Sequence, residues 1–323
     1  MIRKDPAKKT VYVLLEDCGN HDIFFDRSSR KDDYAVPYVY LREAIENLGY
    51  NFVPTFDYKG LGSYDDVAYI ISITLLNQDI LDSLSKHPKE KCFLFVNEPY
   101  TTYGLFYDKR LRHYFGKIFV MFEEFVDNQS YFSYLHAQCN EKFAENVPEF
   151  EDKKFCVMVQ SNHFCPHPKS MYEERRKAAR FFSSVGDFDL YGARWNDFSC
   201  WKGAFKTGKL DVIKNYKFCL SYENIHDQCG YITERIFDAF YASCIPIYLG
   251  PKNIYDYIPK NCFINLTEFS SYNDLYQFMN SIDKETYHSY LSAAKEFIAS
   301  PEASVFSSRH LAKTVLQHLN PPV

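Results

Sequence analysis

Twice along this 323-residue chain, short apolar runs of strand length alternate with segments of helical period, and this double alternation limits the fold more than any other feature. In the first series, residues 11–15, 52–54, 67–73, 92–96 and 118–122 read as strands, with helical segments at 38–48 and about 80–85. In the second, residues 155–160, 188–191, 218–222 and 245–249 read as strands, with helices at 172–184 and about 233–242. Parallel strands need crossover connections, so strand–helix–strand order predicts parallel sheets with helices laid on their faces. Between the two series, residues 127–152 lose strand period and turn acidic and polar, ending in Glu149-Phe150-Glu151-Asp152, which places a linker there. The expected fold class is α/β: two Rossmann-like domains facing a cleft, residues 1–150 and 155–300. Residues 301–323 are expected to form a C-terminal helix bridging the two domains, with Leu311, Val315 and Leu319 on one face.

Composition narrows the function. A net charge of −5, without a run of Lys or Arg, argues against nucleic acid as a partner. The 10 cysteines form no CxxC framework, and Cys92, Cys219 and Cys244 sit inside apolar runs, so they read as buried free thiols. No apolar run is long enough to span a bilayer, and the polar, basic residues 1–10 leave no room for a signal peptide. These features point to the cytoplasm and to a chain without a transmembrane segment; peripheral membrane association and oligomeric state stay open.

The most informative stretch is residues 216–250, YKFCLSYENIHDQCGYITERIFDAFYASCIPIYLG. A strand ends in Glu223-Asn224, so a carboxylate and an amide emerge where open α/β sheets bind ligands. A loop through Gly230 and Tyr231 leads to Thr233, read as the N-cap of a helix with Ile236, Phe237 and Phe240 turned inward. Glu234 and Arg235 then lie in the first helical turn, where free backbone N–H groups and a guanidinium suit an anionic phosphate. The plainer alternative is that both are ordinary solvated helix residues.

FCLSYEN, GYITER and IPIYLG together resemble the donor-binding signature of the α-1,3-fucosyltransferases, glycosyltransferase family 10, with Arg235 where that family usually carries Lys. Weaker landmarks extend the resemblance over nearly the whole chain. Val159-Gln160-Ser161-Asn162 resembles the strand that opens the family's donor domain. The spacing from Arg175 to Asp189-Leu190-Tyr191-Gly192 resembles its helix-borne Arg and following D-x-(Y/F)-G strand, with Arg176 as the register alternative. Phe93-Leu94-Phe95-Val96-Asn97-Glu98-Pro99 ends a strand in Glu, resembling the family's catalytic Glu, although its usual Ser is missing.

The resemblance implies a GT-B fold and an inverting glycosyltransferase with GDP-β-L-fucose as donor and a glycan acceptor, the 3-hydroxyl of N-acetylglucosamine being the expected target. It places the nucleotide against Glu223, Asn224, Tyr231 and Glu234, the diphosphate against Arg175 and Arg235, Asn162 also among the donor-binding residues, and Glu98 as the base on the acceptor hydroxyl. A structural Glu98 capping the next turn is the alternative, and a different GDP-sugar or a noncatalytic GDP- or glycan-binding module are the competing functions. No cofactor or metal is expected, because two guanidiniums and a helix start would take the diphosphate charge. Asp187-Phe188-Asp189 matches the D-x-D of metal-dependent transferases, but Asp189 leads a strand rather than ending one and is read as structural. His163, Cys165 and His167 alternate like metal ligands without a second cluster to complete a site, so they read as a loop with incidental donors.

Overall fold

The computed structural model describes residues 4–15, 35–55, 66–73, 76–135, 141–204 and 208–320. The chain divides into two compact units, Met1–His136 with Ser308–Val323, and Ala137–Ser307.

The first unit is built on a six-stranded parallel sheet in the order β2-β1-β3-β4-β5-β6. Its strands are β1 (Thr10–Leu14), β2 (Asn51–Thr55), β3 (Val67–Ser72), β4 (Cys92–Val96), β5 (Lys117–Val120) and β6 (Tyr131–Ser133). Alternation along each strand feeds two cores, as a parallel sheet covered on both faces requires. Val11, Val13, Phe93 and Phe95 face one core with Tyr38, Leu41 and Ile45 of helix α1 (Val36–Asn47). Tyr12, Leu14, Cys92, Leu94 and Val96 face the other with Ile80, Leu81 and Leu84 of α2 (Gln78–Leu84).

Two features depart from the expected layout. The stretch 127–152 was expected to hold no strand, yet β6 lies within it and pairs with β5 from Ile118↔Tyr131 to Val120↔Ser133. Three residues are too short to show a period, and Asp127 starts the strand by accepting the N–H groups of Gln129, Ser130 and Tyr131. Residues 301–323 do not form one helix: the helix covers His310–Leu316, and Phe306 before it packs on Phe237 and Tyr257 of the second unit. Leu311, Val315 and Leu319 lie in the first unit's core beside α1, and the His318 ring packs among Phe93, Phe119 and Phe132.

The second unit carries a five-stranded parallel sheet in the order β11-β10-β9-β7-β8. Its strands are β7 (Lys154–Val159), β8 (Phe188–Tyr191), β9 (Tyr216–Tyr222), β10 (Ile245–Leu249) and β11 (Ile264–Asn265). Helices α3 (Tyr172–Val185) and α6 (Tyr272–Ser281) pack on the face carrying Cys156 and Met158. Helices α4 (Lys209–Ile213) and α5 (Glu234–Tyr241) cover the face carrying Val157 and Val159. The helix α7 (Lys284–Ala299) follows, and α8 (His310–Leu316) returns to the first unit. The chain leaves β7 for β8 on one side and then crosses to β9 on the other, so the order reverses between β7 and β9. In open α/β sheets, such a reversal opens a crevice at the carboxyl ends of the strands.

Candidate functional site

At the β7/β9 reversal, β9 delivers Glu223 and Asn224, and β7 delivers Gln160 and Asn162. Glycines let the strand ends approach. Gly192, after β8, has φ +119, and a Cβ there would overlap the Gln160 carbonyl, which gives the Asp189-Leu190-Tyr191-Gly192 motif its physical reason. Gln160 is 8% exposed and donates through Nε2 to the Tyr222 carbonyl at 2.8 Å.

Arg175 is presented by α3. With Ala178, Ala179 and Phe182 it forms the buried stripe of that helix, so its guanidinium is carried inward to the end of β9. Arg175 Nη2 lies 2.8 Å from each of the Tyr222 carbonyl, the Glu223 carbonyl and Asn224 Oδ1. Arg176 takes a different course and donates to Asn162 Oδ1 at 2.8 Å. Among the described residues no carboxylate pairs with Arg175, and its buried Nε has no partner. Burial first, and then the charge of Arg235, push its pKa down. The structure therefore holds a buried cation whose partners are neutral, an arrangement that favours an incoming anion.

Glu223 is fully buried, and four bonds satisfy its carboxylate. Thr233 N donates to Oε1 at 2.8 Å and Thr233 Oγ1 to Oε2 at 2.6 Å. Arg235 Nη1 donates to Oε2 and the Tyr248 hydroxyl to Oε1, each at 3.0 Å. Expected as a direct nucleotide contact, Glu223 instead ties β9 to the start of α5 and to β10, with no carboxylate surface left for a ligand in this arrangement. Burial pushes its pKa up, opposed by the Arg235 charge and the Thr233 bonds. A second motif glycine serves this bond: a Cβ at Gly250 would strike the Tyr248 hydroxyl.

Thr233 stands at the N-cap position of α5, but its hydroxyl makes no cap bond, contrary to expectation. It is turned to Glu223 and accepts from Arg235 Nη1 at 2.6 Å. The start of α5 thus lacks a side-chain cap, the condition under which a bound anion can serve. Arg235 also reaches Asn224 Oδ1 through Nη2 at 3.1 Å, so one amide oxygen accepts from both guanidiniums. Burial opposes the Arg235 charge, but Glu234 and Glu223 outweigh it and raise the pKa.

Glu234 keeps 38% of its side chain exposed, with Oε1 3.7 Å from Lys209 Nζ and 4.0 Å from Arg235 Nη1. Burial raises its pKa, but Arg235 and then Lys209 overcome that and hold it down to about 2. Tyr231 is buried at 2% exposure. Asn162 is half-buried and spent within the fold, accepting from Arg176 and donating to the Arg194 carbonyl at 2.8 Å. Of the residues expected to bind donor, Arg175, Glu223, Asn224, Arg235 and Glu234 form one linked cluster, while Asn162 belongs to a neighbouring one through Arg176.

Glu98 belongs to the first unit, two residues past the end of β4, and is half-buried. Its carbonyl accepts from the Tyr107 hydroxyl at 2.9 Å, and burial, followed by the Glu98 charge, pushes the Tyr107 pKa up. Asp189 is held by Lys154 at 2.7 Å, Lys202 at 3.1 Å and the Tyr216 hydroxyl at 2.7 Å, a structural use of the second Asp in D-x-D.

Sequence reasoning did not single out Tyr248, Gln160 or Lys209, although the first two lie inside the quoted motifs. It also gave no sign of a cavity of roughly 690 Å³ at the carboxyl ends of β10 and β11. Tyr248 forms part of its wall, with Met171, Asp227, Lys252 and Asn265.

Comparison with solved structures defines the class first. The chain superposes over its whole length on 94% of an alpha1,3-fucosyltransferase crystallised with GDP-fucose, with a TM-score of 0.58 at 14% identity. It superposes over 96% of its length on 99% of a DNA-modifying beta-glucosyltransferase, with a TM-score of 0.56 at 11% identity. The fold is the α/β, GT-B type, with two Rossmann-like units. The family model for the C-terminal part of glycosyltransferase family 10 (fucosyltransferase) matches residues 150–315, more than half of the chain, and the protein belongs to that family. The 4-galactosyl-N-acetylglucosaminide 3-alpha-L-fucosyltransferase 9 of Mus musculus is 31% identical over 176 residues, 53% of this chain and 45% of that enzyme. The chain thus matches about half the length of such relatives. Among the described residues, no helix is long and apolar enough to cross a membrane.

Proposed function

We propose that the protein transfers L-fucose from GDP-β-L-fucose to a glycan hydroxyl, the 3-hydroxyl of N-acetylglucosamine, with inversion at the anomeric carbon. The observation that carries the donor half is the convergence of Arg175 and Arg235 on Asn224 Oδ1, beside the uncapped start of α5. A diphosphate oxygen that replaced this amide would meet two cations and the helix N–H groups together. Such a grip favours the leaving group most as the bond to the sugar breaks and charge moves onto the phosphate, which is when it accelerates transfer.

Glu98 is the base in this reading. The acceptor O–H gives its proton to the carboxylate, the oxygen bonds to the anomeric carbon, and GDP leaves on the opposite face with the electron pair of the broken C–O bond. Glu234, ionised and partly exposed, accepts hydrogen bonds from donor hydroxyls. The cations Arg175 and Arg235 carry the load that a divalent metal carries in D-x-D transferases. The proposed working place is the cytoplasm.

The test is a GDP-release assay with GDP-fucose across an acceptor panel, with and without EDTA. Acceptor-dependent release that resists EDTA and is lost in Glu98→Gln, with GDP binding kept, is expected. Release from another GDP-sugar but not from GDP-fucose would reassign the donor; GDP binding without any release would remove the enzyme reading.

A further inference from the structure

Lys209, the first residue of α4, joins two carboxylates of α5. Its Nζ pairs closely with Asp238, which is 4% exposed, and lies 3.7 Å from Glu234 Oε1. Glu234 and Asp238 are four residues apart, hence on the same side of the helix, and Lys209 spans the turn between them. Glu234 therefore stands between two cations, Lys209 at 3.7 Å and Arg235 at 4.0 Å. Among the described residues, the cation left beside Glu234 without Lys209 would be Arg235, the group a diphosphate needs.

Among the described residues, the charges this linked cluster brings together are those of Lys209 on α4, Glu234, Arg235 and Asp238 on α5, Glu223 after β9, and Arg175 on α3. They amount to three cations and three anions. Removing Lys209 leaves this cluster net negative for a negative ligand and leaves Glu234 to pair with Arg235 alone among the described residues.

We propose that Lys209 is a positioning residue for sugar-nucleotide binding: anchored on Asp238, it shares the Glu234 carboxylate with Arg235, so that Arg235 is not its sole counter-ion and keeps charge for the diphosphate. This rests on the donor reading of the cluster, not on turnover, so GDP affinity tests it even if no acceptor is ever found.

The experiment is calorimetric titration of GDP into the full chain as wild type, Lys209→Met, Lys209→Arg, and Lys209→Met with Asp238→Asn. The double variant removes the buried charge that Lys209→Met would strand, and keeps the test open if the single variant does not fold. GDP should bind about tenfold more weakly in Lys209→Met and in the folded double variant, with Lys209→Arg close to wild type. Without Lys209, Glu234 loses a cation that keeps it ionised, and its protonation releases Arg235, so the double variant should regain affinity relative to wild type as pH falls toward 4.5, within the ordinary carboxylate range. A folded double variant that matches wild type in affinity and pH profile would overturn the proposal. Failure of wild type itself to bind GDP would overturn the donor reading instead.

Discussion

Glu223 shows how a motif residue can be essential without touching a ligand. Its four bonds join β9, the start of α5 and β10, so it fixes where Arg235 and Asn224 stand. Tyr248→Phe removes one of these bonds to a buried carboxylate and is expected to cost about 1.5–3 kcal/mol of stability, read by urea denaturation, with a smaller effect on GDP affinity. Arg235→Lys, which installs the residue the family usually carries, is expected to weaken GDP binding by about tenfold in calorimetry. The reason is geometric: Arg235 bonds Glu223 and Thr233 through one nitrogen and Asn224 through another, and a single ammonium cannot reproduce that fork. Residue types at the site were legible in the sequence, since Glu223-Asn224 at a strand end and Glu234-Arg235 at a helix start follow from local pattern. Their directions were not. That Glu223 turns inward to Tyr248, 25 residues away, is a tertiary fact without a local signature.

At the scale of elements, helical period resolves what motif matching left open. Arg175 shares the 178, 179, 182 stripe of α3 and Arg176 does not, so the spacing itself distinguishes the inward guanidinium from the outward one. The short β6 and the destination of α8 were hidden because three residues carry no period and an amphipathic helix does not name the surface it covers. His310 at the start of α8 stacks on Tyr134 with ring centroids 5.9 Å apart. Burial first, and then Lys313, push its pKa down to about 4. The unfolded chain therefore binds more protons between pH 6.5 and 4, and stability should fall as pH drops through that window while staying intact above it. On the order of 3 kcal/mol is at stake, and His310→Gln should flatten the dependence when urea midpoints are compared at high and low pH.

Across the whole molecule, the two strand–helix series became two parallel sheets, each with cores on both faces. The boundary differed from expectation because residues 308–323 return to the first unit's core after the second unit is complete. GDP should therefore stabilise the unit formed by residues 137–307, by about 2.7 kcal/mol at a hundredfold excess over Kd, without a direct effect on the first unit's own stability. Hydrogen exchange with and without GDP would separate the two responses. The central claim is that Arg175, Arg235 and the start of α5 take a diphosphate at the β7/β9 reversal. A crystal structure of the full chain with GDP tests it most directly: phosphate oxygens within hydrogen-bond reach of both guanidiniums are the expected result. A nucleotide seated elsewhere, with Asn224 Oδ1 still holding both arginines, would contradict it.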